Sequence, residues 1–147
     1  MQEYNNHAPF PVCSIRICIH SFDEHRQIIG LICGIAVKDF IHFQGVNDFI
    51  IKVDDAYNAI GRPQSFQVLR SFTEQEDYHS YVGNPPTYYD SDEIRKQVGE
   101  LATYDLIMIS RKNAEWQGIL KNMEGELVFR FHTIIECIEF LSRQVHR

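Results

Sequence analysis

The feature that most constrains the fold is a weak internal repeat, in which residues recur at a spacing of 88 positions. Gly30 recurs as Gly118, Phe43 as Phe131 and Ile50 as Ile138, with no gap needed. The same register aligns two helix starts and two strand-rich stretches, and agreement of this kind indicates a duplicated unit. We therefore expect an α+β fold made of two β-β-β-α repeats, in which helices cover an antiparallel sheet.

Each repeat is predicted to end in a helix. Thr133 and Glu136 form a capping-box pattern at the second helix start, where the hydroxyl and the carboxylate satisfy free backbone amides. The first helix begins at Gly45 with the acidic Asp48 near its positive end, and Gly61 predicts its stop. Apolar residues follow at helical spacing, namely Val46, Phe49, Ile50, Val53, Tyr57 and Ile60 in the first copy and Ile134, Ile138, Leu141 and Val145 in the second.

Upstream of each helix the apolar period approaches two, which is typical of strands. In the segment 14–22, Ile15, Ile17 and Ile19 alternate with polar side chains, which predicts one buried face and one partly wet face. The other predicted strands are 28–37, 39–43, 105–110, 116–121 and 126–131. The glycines inside two of them indicate a bulge or a close backbone approach. Asn122 to Gly125 is predicted to form a hairpin turn.

We divide the single compact domain of residues 1–147 into repeat 1 (about 14–61), a connector (about 62–103) and repeat 2 (about 104–147). The connector is predicted to hold a strand at 66–72, an acidic, tyrosine-rich loop at 73–92 and a short helix over 90–101. A loop of this length is typically functional or disordered. Asp90 and Glu93 are a candidate capping pair for the helix.

Composition limits the classes of protein to which the chain can belong. The chain has 147 residues, 44% of them hydrophobic, which suffices for a core without a disulfide or metal. No stretch approaches the apolar length of a membrane helix and the N-terminus lacks a signal-peptide core, so we expect a cytoplasmic protein that does not bind membranes. The four cysteines lack CxxC spacing and are predicted to be buried free thiols.

Motifs for chemistry are sparse, and we predict no cofactor and no metal. The sequence has no HxH or HxxxH spacing, no nucleophile elbow and no glycine-rich phosphate loop. A small enzyme that uses His20, His42 or His132 stays open as an alternative. The other alternative is a single-stranded nucleic-acid binder with a basic patch of Arg111, Lys112 and Lys121. The net charge of -6 opposes it, because such a surface has to attract phosphates.

Residues 111–141 carry a pattern that resembles that of a known protein family. Its matching positions are Arg111, Asn113, Trp116, Gln117, Gly118, Phe131, Glu136 and Leu141, and the first half offers Phe43, Gly45, Asp48, Lys52, Gly61, Pro63, Arg70 and Phe72. This RxNxxWQG…F…E…L pattern resembles that of an uncharacterised family of small bacterial proteins with no known function. The first half departs from it, with Ile28 where a tryptophan would stand. The resemblance implies the fold and no catalytic residue.

Partner binding is the function we favour. The sole tryptophan, Trp116, has two interpretations: a core residue, or an exposed anchor beside Arg111 and Asn113. Tyr88 and Tyr89 in the acidic loop are further candidates for contact with a partner. We therefore expect a non-catalytic interaction or regulatory module with an unidentified protein partner, and we consider a homodimer formed through a free sheet edge.

Overall fold

The computed structural model describes residues 10–61, 85–111 and 115–145, with six strands and three helices in these ranges. The first half contains β1 (Ser14–Phe22), β2 (Ile28–Cys33), β3 (Ile41–Gln44) and α1 (Val46–Ile60). The short α2 (Ser91–Arg95) follows, and then β4 (Ala102–Ser110), β5 (Gln117–Lys121), β6 (Leu127–Phe131) and α3 (Ile134–Val145). The predicted α+β class is confirmed.

The strands form one open antiparallel sheet in the order β3-β2-β1-β4-β5-β6. Each half is a meander of neighbouring strands, and the halves meet edge to edge where β1 pairs with β4. The two longest strands therefore lie at the centre, and β3 and β6 form the two outer edges. The predicted strand at 66–72 and residues 73–84 of the predicted loop lie outside the described residues.

One face of the sheet carries the main core. Ile15, Ile17 and Ile19 of β1 are fully buried on this face, as the alternation predicts. They join the buried sides of α1 and α3 in one cluster, which includes Phe49 of α1 and Leu141 of α3. Burial of these side chains provides the main favourable free energy of folding.

A glycine and a phenylalanine are paired across the strands in both halves. Gly30 of β2 is opposite Phe43 of β3, and Gly118 of β5 is opposite Phe131 of β6. A Cβ atom on Gly30 would come within 2.0 Å of the Cys18 carbonyl oxygen, and one on Gly118 within 2.8 Å of the Phe131 ring. The close approach predicted for these glycines is therefore confirmed.

The second face is covered over the first half of the sheet. Phe10, Cys33, Ile35 and Ile94 form a smaller buried cluster, in which Ile94 comes from α2. The backbone N–H of Tyr88 donates to the Ile35 carbonyl at 2.7 Å, which fixes the chain before α2 against this face. We call this face the α2 face and the opposite one the core face.

Two of the helix ends form as predicted and one helix is shorter than predicted. Gly61 ends α1 with a φ of 85°, and Asp90 and Glu93 form the capping box of α2. However, α2 ends at Arg95, whereas the sequence predicted a helix over 90–101. The reason is tertiary: Gly99 lies against the backbone of Ile19, and the N–H of Leu101 donates to the Ile19 carbonyl at 2.8 Å. These contacts require an extended chain.

The start of α3 differs in one detail from the predicted capping box. The N–H of Glu136 donates to the Thr133 hydroxyl at 3.2 Å, as predicted. The Glu136 carboxylate accepts from the N–H of His132 at 2.7 Å, one residue before the predicted donor. In the part of the chain that the structure describes, no helix combines the length and apolarity needed to cross a membrane.

Candidate functional site

Three charged side chains form a row across the α2 face at the centre of the sheet. Arg16 of β1 pairs in register with Asp105 of β4, and Asp105 pairs in register with Lys121 of β5. Cross-strand partners point to the same face, so the row runs cation, anion, cation. Ser14 and Ile107 form the neighbouring row on the same strands.

Arg16 and Asp105 form a bidentate ion pair. Arg16 Nε donates to Asp105 Oδ1 at 2.8 Å, and Arg16 Nη2 donates to Oδ2 at 3.0 Å. The Arg16 side chain is 2% exposed and that of Asp105 is 15% exposed. A pair so far removed from water depends on complete hydrogen bonding, because an unpaired charge there is costly.

Arg16 also holds the end of α2 in place. Its Nη1 donates to the carbonyl oxygens of Arg95 at 2.9 Å and of Gln97 at 3.2 Å. Burial by itself lowers the pKa of Arg16, but the hydrogen bonds and charge of Asp105 outweigh it and the pKa lies above its ordinary value. The guanidinium therefore stays charged and links the sheet to the segment that covers it.

A cleft of about 240 Å³ opens beside this row. Its lining includes four strand residues, namely Ser14 of β1, Asp105 and Ile107 of β4, and Lys121 of β5. Phe10, Pro11 and Arg95 line it as well, and so do Met123, Glu124 and Gly125 of the β5–β6 hairpin turn. The cleft is small for a ligand site and combines apolar walls with a few charged groups.

Two donors at the cleft lack an internal partner. Ser14 is 1% exposed, and its Oγ has no hydrogen-bond partner among the described residues. The half-buried Lys121 has no ion pair with a carboxylate in the same ranges of the chain. Buried polar groups are nearly always hydrogen-bonded, so the Ser14 hydroxyl is an exception among the described residues.

The described ranges contain no group of three or more His, Cys, Asp or Glu side chains that could hold a metal ion. No family model, curated protein or solved structure matches the chain. The resemblance to the family of small bacterial proteins therefore stays a prediction.

Of the predicted partner-binding residues, Arg111 and Trp116 are both buried. Arg111 is 2% exposed, and its Nη1 donates to Asp54 Oδ1 of α1 at 2.7 Å. Trp116 is 7% exposed and belongs to the main core cluster. This placement favours the core interpretation of the tryptophan over the exposed anchor. Asn113 lies outside the described residues.

The two tyrosines lie elsewhere. Tyr88 is exposed, whereas the Tyr89 hydroxyl donates to the Lys38 carbonyl at 2.7 Å and its ring packs against Phe40 at a centroid distance of 5.2 Å. Tyr89 and Phe40 pack on the small cluster of the α2 face, and Trp116 belongs to the core face. The structure therefore does not bring the predicted residues together into one surface.

The three histidines considered for catalysis are also apart from the cleft. His20 Nδ1 accepts from the N–H of Glu100 at 3.4 Å, and His42 is exposed on the edge strand β3. His132 Nδ1 lies 3.8 Å from Glu136 Oε1 on an exposed helix start. None of the three lines the cleft.

Sequence reasoning missed the charged row and Ser14. The alternation in β1 assigned Arg16 to a partly wet face, and nothing local indicated that α2 would cover it. The signal that could have found the site is the strand register, because Arg16 and Asp105 are 89 residues apart and meet through the pairing of β1 with β4.

Proposed function

We propose that the protein is a non-catalytic interaction module that self-associates through the free edge strand β6. The observation that carries this proposal is the difference between the two sheet edges. One edge is blocked by side chains of its own helix, and the other presents exposed apolar residues. An unpaired edge of that kind is a template for pairing with another strand.

The β3 edge is occupied. The N–H of Gln44 donates to Asp48 Oδ2 at 3.0 Å, and Lys52 Nζ donates to the His42 carbonyl at 2.8 Å. Both helix side chains therefore use backbone groups that a further strand would need. The ion pair of Lys52 with Asp48 at 3.2 Å holds the two in this arrangement.

The β6 edge has no described strand beyond it. Leu127 is 52% exposed, and Val128 beside it is also exposed. A bulge sets Val128 opposite no residue of β5, which shortens the regular stretch available for pairing. We therefore expect a weak dimer whose population depends on protein concentration.

The partner is a second copy because β6 is electrostatically self-complementary. Glu124 and Glu126 precede the strand, and Arg130 and His132 lie at its end. Antiparallel pairing of two β6 strands sets the acidic start of each beside the basic end of the other. Arg130 is exposed and makes no ion pair within the described residues, so its charge is available.

Sedimentation velocity over a range of concentrations tests the proposal. We expect the wild type to shift from monomer to dimer as concentration rises, and Val128→Lys to stay monomeric. Ile51→Lys is the matched control, because Ile51 is 57% exposed on α1 and lies away from the edge. A wild type that stays monomeric, or equal effects of the two lysine substitutions, would contradict the proposal.

A charge exchange tests the orientation of the strands. Arg130→Glu alone should weaken the dimer, because acidic groups would then face each other at both ends. Combining it with Glu126→Arg should restore the attraction and much of the affinity. If the double variant dimerises as weakly as Arg130→Glu, the antiparallel pairing is wrong.

The interaction module is preferred to a nucleic-acid binder because the two described residues of the predicted basic patch, Arg111 and Lys121, do not share a surface. Arg111 is buried against α1, and Lys121 lies in the cleft on the α2 face. Lys112 lies outside the described residues. We likewise place the protein in the cytoplasm as a proposal, on the sequence evidence given above.

We also propose that the two halves are copies of one β-β-β-α unit. β1 runs from residue 14 to 22 and β4 from 102 to 110, so both ends differ by 88 residues. The starts of α1 and α3, at residues 46 and 134, differ by the same number. The glycine–phenylalanine pairs are also equivalent in this register. An experimental structure in which residues 14–57 fail to superpose on 102–145 would refute the duplication.

A further inference from the structure

We propose that Lys52 of α1 closes the β3 edge against a second copy of the chain, and that this contact limits self-association to a dimer. The limit to a dimer rests on the proposed pairing of β6, whereas the closure of β3 stands on contacts of its own. These are the hydrogen bonds between α1 and β3, together with a comparison of the two outer strands of the sheet.

The outer side of β3 offers few backbone groups. β3 is an outer strand of the described sheet, and it pairs with β2 on its inner side. Its outer side carries the N–H and C=O groups of His42 and Gln44, because an edge residue points both groups the same way. Lys52 Nζ donates to the His42 carbonyl at 2.8 Å, and the Gln44 N–H donates to Asp48 Oδ2 at 3.0 Å. Side chains of α1 therefore already use two of these four groups.

The link between β3 and α1 fixes Lys52 beside the strand. A single residue, Gly45, joins the two elements, so the helix begins next to the strand end. The rings of Phe43 and Phe49 meet edge to face with their centroids 5.0 Å apart, which holds α1 against β3. Asp48 and Lys52 lie four residues apart on one side of the helix and form an ion pair at 3.2 Å. The ammonium is therefore held at the strand edge.

The other outer strand has the equivalent acidic residue and lacks the lysine. Glu136 Oε1 accepts from the His132 N–H at 2.7 Å, as the acidic residue of α1 does at β3. Four positions later α3 has Phe140, whose ring stacks on Phe129 at a centroid distance of 4.6 Å. A phenylalanine ring has no N–H or O–H group to donate to a strand carbonyl. The helix residue that distinguishes the closed edge from the open one is therefore Lys52.

A second copy of the chain is the partner that an open β3 edge would take. β3 consists of Ile41, His42, Phe43 and Gln44, with no acidic residue, lysine or arginine. Antiparallel pairing of two β3 strands therefore sets no like charges of these residue types beside each other. Pairing at β3 as well as at β6 would link dimers into an open-ended array, because every chain would then join two others. Lys52 prevents this extension.

Sedimentation velocity of Lys52→Met in the Val128→Lys background tests the closure of β3 without the β6 contact. Methionine has a similar length and cannot donate, so the His42 carbonyl becomes free in each copy. We expect dimerisation about tenfold tighter than for Val128→Lys alone, since a two-fold contact gains two backbone hydrogen bonds. Lys52→Arg keeps a donor and should stay monomeric in this background. Lys96→Met is the matched control, because Lys96 is exposed at the end of α2 and lies on neither outer strand.

The outcomes separate this proposal from the pairing of β6. An unchanged affinity in the chain that combines Val128→Lys with Lys52→Met would overturn the closure by Lys52, and so would an equal gain from Lys96→Met or Lys52→Arg. In the wild-type background Lys52→Met should form species larger than the dimer, and an assembly that stops at the dimer would overturn the limiting role. A monomeric wild type would count against the β6 contact only. A far-UV circular dichroism spectrum like that of the wild type shows that each variant is folded.

Discussion

Replacing Asp105 by asparagine should strongly destabilise the fold, because it leaves the Arg16 guanidinium charged and without its anion. Arg16 is 2% exposed, and Asp105 accepts two of its hydrogen bonds. Breaking a buried pair by removing one partner costs about 3–5 kcal/mol. Asp105 is 15% exposed, so water reaches part of the site and we expect the lower end, about 3 kcal/mol.

Arg16→Met should lower the free energy of unfolding by about 3–5 kcal/mol, because it affects both Asp105 and the end of α2. It removes the anion's partner and also the donors to the carbonyl oxygens of Arg95 and Gln97, which hold the end of α2. Combining Arg16→Met with Asp105→Asn removes both charges. We expect the double variant to lose less than the sum of the two single losses, by about 2 kcal/mol or more.

Urea unfolding at pH 7 gives these free energies, provided that each variant unfolds in a single transition. The same measurement in high salt is the control, because a buried pair is little screened and its contribution should persist. Additive losses in the cycle would show that the two side chains do not act as a pair. A loss below about 1 kcal/mol for Asp105→Asn would refute the burial of the guanidinium, since exposed pairs contribute no more than that.

Three further predictions concern other parts of the fold. Burial raises the pKa of Cys137 from 9.0 to about 12, so the thiol stays protonated in the folded state while the unfolded chain ionises. Stability should therefore fall by about 1.4 kcal/mol per pH unit between these values, and Cys137→Ala should show a shallower fall in urea unfolding from pH 8 to 11. Ser14→Ala should leave the thermal midpoint of the protein unchanged or higher, because it removes a buried hydroxyl without a partner among the described residues; a clear decrease would show that the hydroxyl is already satisfied. Gly118→Ala should lower the free energy of unfolding by about 1–3 kcal/mol, because the new Cβ would collide with the Ile107 carbonyl. Gly125→Asn should leave the melting temperature in calorimetry nearly unchanged, because asparagine tolerates the φ of 85° and no atom lies near.

The parts of the fold that the sequence predicted are those that depend on neighbouring residues. The alternation of Ile15, Ile17 and Ile19 identified β1 because side chains alternate between faces along a strand. Gly61 and Gly125 identified a helix end and a turn because both backbones have positive φ. These signals act over a few residues, so no tertiary information is needed to recognise them.

The prediction for α2 was wrong beyond Arg95 because a distant strand decides the conformation there. Val98 and Leu101 lie at helical spacing from Ile94, but both are exposed. The pattern that predicted burial was therefore misleading. The hydrogen bond from Leu101 to Ile19, more than eighty residues away, replaces the helical turn. Contacts of this kind override local propensity and are invisible without the register.

The candidate site could not be predicted for a related reason. Each of its residues is ordinary in its own segment, and a lone arginine on a strand is typical of a solvated face. Arg16, Asp105 and Lys121 acquire their roles only when three strands are set in register. Trp116 was a candidate for partner binding because it is the sole tryptophan. In the structure its large ring packs in the main core.

The position of the cleft follows from unequal cover of the two halves of the sheet. α1 and α3 both pack on the core face, which would leave the α2 face equally open over both halves. Residues 85–101 cover β1 and β2 on this face, so that Cys18 and Cys33 are buried, whereas Ile107 and Ile119 of β4 and β5 stay half-buried. The cleft lies where this cover ends. Arg16 lies beneath the end of α2, and Lys121 lines the cleft without an ion pair among the described residues. Neither half of the sheet builds this arrangement by itself, because the cleft needs residues of β1, β4 and β5 together with Arg95 of α2.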